Sequence, residues 1–131
     1  MLVDHRLSVR AEIDLLGRAA KRPTEAQVQR AIIDRLRLMG ALAVHVPNAG
    51  LRSERAGQRL KGEGMRPGFP DLVVIGQGRV CFLEVKAPGT GRLSVRQIEC
   101  HEEIRRRGAQ VFTVTSQDEA VAACRAAEVV A

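Results

Sequence analysis

Asp71, Glu84 and Lys86 have the residue types and the spacing from which chemistry can be built. They lie in a stretch that runs Gly68-Phe69-Pro70-Asp71-Leu72-Val73-Val74-Ile75, then Gly76-Gln77-Gly78, then Arg79-Val80-Cys81-Phe82-Leu83-Glu84-Val85-Lys86. Two apolar runs around a Gly-x-Gly turn predict a β-hairpin. Side chains alternate along a strand, so Glu84 and Lys86 share one face. Asp71 stands at the mouth of the first strand, near enough across a hairpin to meet them. Two carboxylates and one amine at a strand end can hold a divalent metal and a water, a combination suited to phosphodiester hydrolysis.

Taken alone, Glu-x-Lys is a weak motif, and its plain alternative is an exposed ion pair that contributes little. Three features favour chemistry. An acidic residue follows Gly-x-Pro at the start of the preceding strand. The lysine sits inside an apolar strand, where charge needs a reason. The strand then runs into Ala87-Pro88-Gly89-Thr90-Gly91, a loop and not a buried continuation.

The elements that must position these residues carry clear signals. Thr24-x-x-Gln27 is a capping box, in which the hydroxyl and the amide satisfy orphan backbone donors. It opens a helix with Val28, Ala31, Ile32, Leu36 and Met39 on one face, stopped by Gly40. Glu25, in its first turn, has two readings. It is either a charge favoured at the positive end of the helix or an active-site carboxylate at the edge of the core. Ala41 to Val46 predicts a strand with Leu42, Val44 and Val46 on one face.

The twenty-four residues from Pro47 to Pro70 have little apolar periodicity, and stretches of that kind are usually functional. Arg52, Arg55, Arg59, Lys61 and Arg66 stand there against Glu54 and Glu63, a surplus of three positive charges, together with Asn48. A basic loop beside a carboxylate cluster suits a phosphate-backbone substrate; the plain alternative is a solvated loop.

Beyond the hairpin, Ser94-x-x-Gln97 is a second capping box and opens a helix to Arg107. Gln97 therefore either caps that helix or turns inward to the lysine or a water. His101 on the same helix reads as a surface or half-buried residue. Arg105-Arg106-Arg107 suits the negative helix end. Val111 to Thr115 predicts the last strand, and Ser116-x-x-Glu119 caps a final helix with Ala120, Cys124 and Ala127 inward. The order is αβββαβα, an α/β fold with a mixed sheet flanked by helices. Residues 1–22 form an N-terminal arm containing a possible helix, with Val9, Ile13, Leu16 and Ala20 on one stripe. Residues 23–131 form one domain.

Composition limits the function classes. At 131 residues there is room for one core, and 45% hydrophobic residues argue against disorder. A net charge of +6 points to a polyanionic partner such as nucleic acid. Three Phe and no Trp or Tyr leave little for stacking single-stranded bases, so duplex or branched substrates gripped through phosphates are favoured. Cys81, Cys100 and Cys124 lack zinc-site spacing, and Cys81 reads as core. With neither a leader-like apolar run after Met1 nor a span of membrane length, a reduced, cytoplasmic location is expected.

From Thr24 to about Ala127 the chain resembles the VRR-NUC domain, the virus-type replication-repair branch of the PD-(D/E)xK nucleases. The resemblance rests on Thr24-Glu25-x-x-x-Gln29, Pro47-Asn48-x-Gly50, Gly68-x-Pro70-Asp71, Glu84-x-Lys86, Gly91-x-Leu93-Ser94-x-x-Gln97 and Gly108-x-x-Val111. It implies a restriction-endonuclease-like core and a magnesium- or manganese-dependent DNA nuclease. The location would be a bacterial cytoplasm or, for a phage protein, that of its host. Asp71 and Glu84 would be metal ligands together with the Val85 carbonyl. Lys86 would position and help deprotonate the attacking water. Glu25 would bind a second metal or orient a metal-bound water, and Gln97 would support the lysine. Free-standing relatives resemble Holliday-junction resolvases and are expected to form homodimers. The competing readings are a non-catalytic DNA-binding module with the same fold and a restriction-type enzyme whose loop arginines reach guanine edges.

Overall fold

A computed structural model describes residues 22–47 and 54–131. The N-terminal arm, apart from Arg22, lies outside the described residues, as do Asn48 and Arg52. The elements in chain order are α1 (Glu25–Leu38), β1 (Leu42–His45), α2 (Glu54–Gly62), β2 (Leu72–Gly76), β3 (Arg79–Val85), α3 (Val95–Arg106), β4 (Val111–Val114) and α4 (Gln117–Ala126). The αβββαβα order holds, with one helix added in the stretch expected to be irregular. Helix α2 carries its apolar surface on Ala56 and Leu60 alone, and Gly57 interrupts it. Arg, Gln, Leu and Lys are sound helix formers, but two apolar residues leave almost no periodic trace.

Both expected capping boxes form. Thr24 Oγ1 accepts from Gln27 N at 3.2 Å while Gln27 Oε1 accepts from Thr24 N at 2.9 Å. Ser94 and Gln97 repeat the exchange at the same two distances. At the third helix start, Ser116 Oγ accepts from Glu119 N, but the Glu119 carboxylate turns to the backbone N–H and hydroxyl of Thr115.

The sheet order is β1-β2-β3-β4, antiparallel across the first three strands and parallel between β3 and β4. Gly76 pairs with Arg79, so the hairpin turn is Gln77-Gly78. Both residues have positive φ, 55° and 71°, as the two-residue turn that matches strand twist requires. One sheet face carries Ala43, Leu72, Val74, Cys81, Leu83, Val85 and Val114, all buried with Ile32 and Leu36 of α1 and with Ala120 and Cys124 of α4. Cys81 is fully buried, the core residue its strand position implies. On β1 the alternation holds, but the buried side belongs to Ala41 and Ala43, while Leu42 and Val44 stay exposed. Helix α1 packs directly on β1, and small side chains permit that close approach. On the opposite sheet face α3 packs on β4, while Leu42, Val44, Ile75 and Val80 of that face stay exposed. Among the described residues no helix is long and apolar enough to cross a membrane.

Candidate active site

The geometry of the site begins in the chain that leads into β2. Gly68 has φ +83°, and a Cβ there would collide with the Arg96 carbonyl and stand 2.7 Å from Gln97 N. Glycine thus lets this loop lie flat on the first turn of α3. Pro70 follows, fully buried. Asp71 is then held from two sides. Its Oδ2 accepts from Val85 N at 2.7 Å, and its carbonyl accepts from Val46 N at 2.7 Å. The first bond ties the mouth of β2 to the end of β3, the junction expected from the hairpin.

Glu84 and Lys86 lie on the same face, as alternation requires. Both are buried, with relative exposures of 1% and 9%. Lys86 N donates to Val114 O at 3.0 Å, which extends the parallel ladder one step past β3. Gly91 passes so near that a Cβ on it would lie 2.7 Å from Lys86 Cβ, a physical reason for glycine in the following loop. The carboxyl of Asp71 lies within hydrogen-bonding reach of Glu84. Burial, and next the facing Asp71, push the Glu84 carboxyl up to about 9, while Lys86 opposes the shift and Glu25 adds slightly to it. Two carboxyls in so dry a place do not both ionise without a compensating cation.

This donor set fits a hard divalent ion. Asp71 and Glu84 present oxygen, and the Val85 backbone is already hydrogen-bonded to Asp71. Among the described residues no three His, Cys, Asp or Glu side chains form a metal cluster. Magnesium needs no such cluster, since it takes one or two carboxylates and keeps several waters.

The remaining predicted residues are distributed unevenly. Glu25 is exposed at the start of α1, near enough for its charge to reach Glu84. Gln97 is half-buried, and its amide oxygen is engaged by Ser94 N. Of the two readings for Gln97, the cap is the one observed. Arg55, Arg59 and Lys61 are exposed on α2. Arg66 is paired with Glu103 of α3 at 2.5 Å, and Arg59 lies 3.8 Å from Glu63.

His101 corrects the sequence reading. Expected at or near the surface, it is 1% exposed, with Nε2 3.1 Å from Glu84 Oε1. Burial, and then Arg105, lower its proton affinity. A signal was present, because His101 follows Gln97 by four residues and adjoins Cys100, so it falls on the inward stripe of α3. His45 was also unassigned. It is exposed at the end of β1, with Nδ1 3.0 Å from Gln29 Nε2 and 3.1 Å from the Asp71 carbonyl. A cavity of about 600 Å³ is lined by Pro23, Gln27, Pro88 and Thr115, at the starts of α1 and α4, and does not include the Asp71–Glu84 pair. Neither carboxylate of the pair nor Lys86 lines that cavity, so the carboxylate geometry outweighs it.

A family model for the VRR-NUC domain matches residues 23–118. Two solved structures are similar. One, named a VRR_NUC domain, is 28% identical with a TM-score of 0.58, and the match covers 79% of this chain and 97% of that one. The other, named a VRR_NUC domain protein, is 21% identical with a TM-score of 0.63, over 82% of this chain and 89% of that one. At that identity the second likeness speaks for the fold alone. No curated protein matches the chain.

Proposed function

The chain belongs to the VRR-NUC domain family, and from that premise we propose that it is a magnesium- or manganese-dependent DNA endonuclease. The observation that supports this most is a buried lysine on the same strand face as a carboxylate that meets a second carboxylate. A binding module has no use for that arrangement, which costs stability.

Asp71, Glu84 and the Val85 carbonyl would hold the ion. When bound, it would supply positive charge at the phosphate and acidify a water. Lys86 Nζ orients the attacking water and favours its loss of a proton by stabilising the hydroxide that results. The Val85 N–H fixes Asp71 Oδ2, so the first ligand needs no rearrangement before substrate arrives. Glu25, exposed and close enough to influence Glu84, would orient a further water or hold a second ion. Gln97 contributes by fixing the start of α3, which in turn abuts the Gly68 loop. Exposed Arg55, Arg59 and Lys61 on α2 grip the phosphate backbone, with Arg66, Asn48 and Arg52 as further contacts. Each cation that neutralises a phosphate steepens the dependence of binding on salt.

Cutting both strands of a duplex or resolving a branch needs two sites, and one chain has one. A two-fold homodimer meets that need, with the arm of residues 1–22 as part of the interface. The substrate is then a branched DNA of the Holliday-junction kind.

The test is a panel of linear, nicked, flapped and four-way DNAs incubated with magnesium, manganese or chelator. Metal-dependent cleavage that is strongest on the four-way substrate is expected. Binding of these DNAs with no cleavage under any metal would favour the binding module. Undiminished cleavage by a clean Asp71→Ala preparation would remove the site from the mechanism. Gel filtration is expected to give a dimer, lost on deletion of residues 1–22.

A further inference from the structure

Glu84 has two neighbours of different kinds. On one side stands the Asp71 carboxyl, and on the other the His101 imidazole, whose Nε2 is 3.1 Å from Glu84 Oε1. Both His101 and Glu84 are 1% exposed, so the contact is shielded from bulk solvent. The other ring nitrogen, Nδ1, has no hydrogen-bond partner among the described residues. A buried polar atom without a partner costs stability, and an aliphatic side chain between α3 and the sheet would carry no such cost. The imidazole is therefore a poor choice for packing alone.

Its geometry suits a different task. An ionised Glu84 has only acceptor oxygens, so the contact then requires a proton on Nε2, donated to Oε1. That donation fixes the orientation of the carboxyl group and leaves Oε2 free of the imidazole. Helix α3 is itself fixed by the Ser94–Gln97 capping box and by the Gly68 loop against its first turn, so the imidazole sits on a rigid base. We propose that His101 is a positioning residue that holds the Glu84 carboxylate toward Asp71 and thereby sets the divalent-cation affinity of the pair. This rests on the metal-dependent reading given above and assigns the residue that orients one of its ligands. Partners that orient a ligand in this way commonly matter by about 10–100-fold in metal affinity.

The experiment is calorimetric titration of the full chain with manganese, for wild type, His101→Leu and His101→Gln, with the thermal midpoint of each protein measured in chelator. Glutamine places an amide N–H near the position of Nε2; leucine fills the space and donates nothing. The expected result is affinity weakened by about 10–100-fold in His101→Leu, largely restored in His101→Gln, and no lowering of the chelator midpoint by leucine. Manganese affinity in His101→Leu equal to wild type would overturn the proposal and leave the metal-dependent reading intact. Equal losses in both variants, tracking a fall in thermal midpoint, would also overturn it, by reducing His101 to packing. If wild type takes up no manganese, the metal-dependent reading fails first and this proposal fails with it.

Discussion

Strand β3 offers two faces to the helices around it. Cys81, Leu83 and Val85 lie fully buried on the side of α1 and α4, whereas Phe82, Glu84 and Lys86 lie on the side of α3. On the first side these residues join a cluster of buried apolar side chains, and each fully buried Leu or Val stabilises the fold by about 1.5–3 kcal/mol. On the second, a carboxyl, an ammonium and an imidazole are removed from water with few partners. A strand of seven residues thus keeps stability on its odd positions and reactivity on its even ones. The difference teaches that the apolar face makes the polar one tolerable, because the lost solvation of Glu84 has to be offset somewhere in the same strand.

The sharpest way to break this division is Lys86→Met, which keeps the length of the stem and removes the charge. Cleavage is expected to fall by roughly 10²–10⁴-fold, the scale of a lost group that assists proton transfer. DNA affinity and the urea midpoint should hold or rise, since an apolar stem takes the place of a buried charge. A large loss of stability would mean that the polar face also holds the fold together. The converse change is Leu83→Ala, one residue from Glu84 but facing α1. It is expected to cost about 2–5 kcal/mol in urea unfolding, while cleavage per folded molecule in native conditions stays within a few-fold of wild type. A cleavage defect as deep as that of Lys86→Met would show that the two faces are not separable.

How far these faces are visible in the sequence depends on what kind of contact defines them. The hairpin was legible because period-two alternation and a Gly-x-Gly turn are local signals, and they carried Asp71, Glu84 and Lys86 to one strand end. Helices α1 and α3 were legible through capping boxes spelled out within four residues. Helix α2 was not, because Ala56 and Leu60 give too little periodicity against the charges around them. The face of β1 was ambiguous for another reason. Leu42 and Val44 are the larger apolar residues, yet α1 approaches over Ala41 and Ala43, a choice made by tertiary packing. Arg66 and Glu103 form their ion pair across 37 positions in sequence, which no local pattern announces. His101 fell between these cases. Its helical position marked it as inward, but a polar residue type argued for the surface, and only the contact with Glu84 decides between them.

The gentlest test of the comparison is pH. In the folded chain Glu84 binds its proton with a pKa of about 9, against an ordinary value near 4.5. Between those values the folded protein holds more protons than the unfolded chain, so stability falls as pH rises. The contribution is complete below the ordinary value and is lost as pH passes through about 9. For one such group the slope approaches about 1.4 kcal/mol per pH unit. His101 acts in the opposite sense. Its lowered proton affinity gives stability that disappears as pH falls through and below its ordinary value of 6.5, so between that value and about 9 His101 does not offset the decline from Glu84. Urea midpoints of chelator-treated protein across this interval should decline, and Glu84→Gln, which has no proton to lose there, should flatten the decline. Manganese should flatten it too, because an ion between Asp71 and Glu84 favours the ionised pair that alkaline conditions produce. A midpoint that instead climbs with pH in the metal-free protein would mean that the ionised carboxylates are at ease in their burial, and the polar face of β3 would lose the cost that sets it apart from the apolar one.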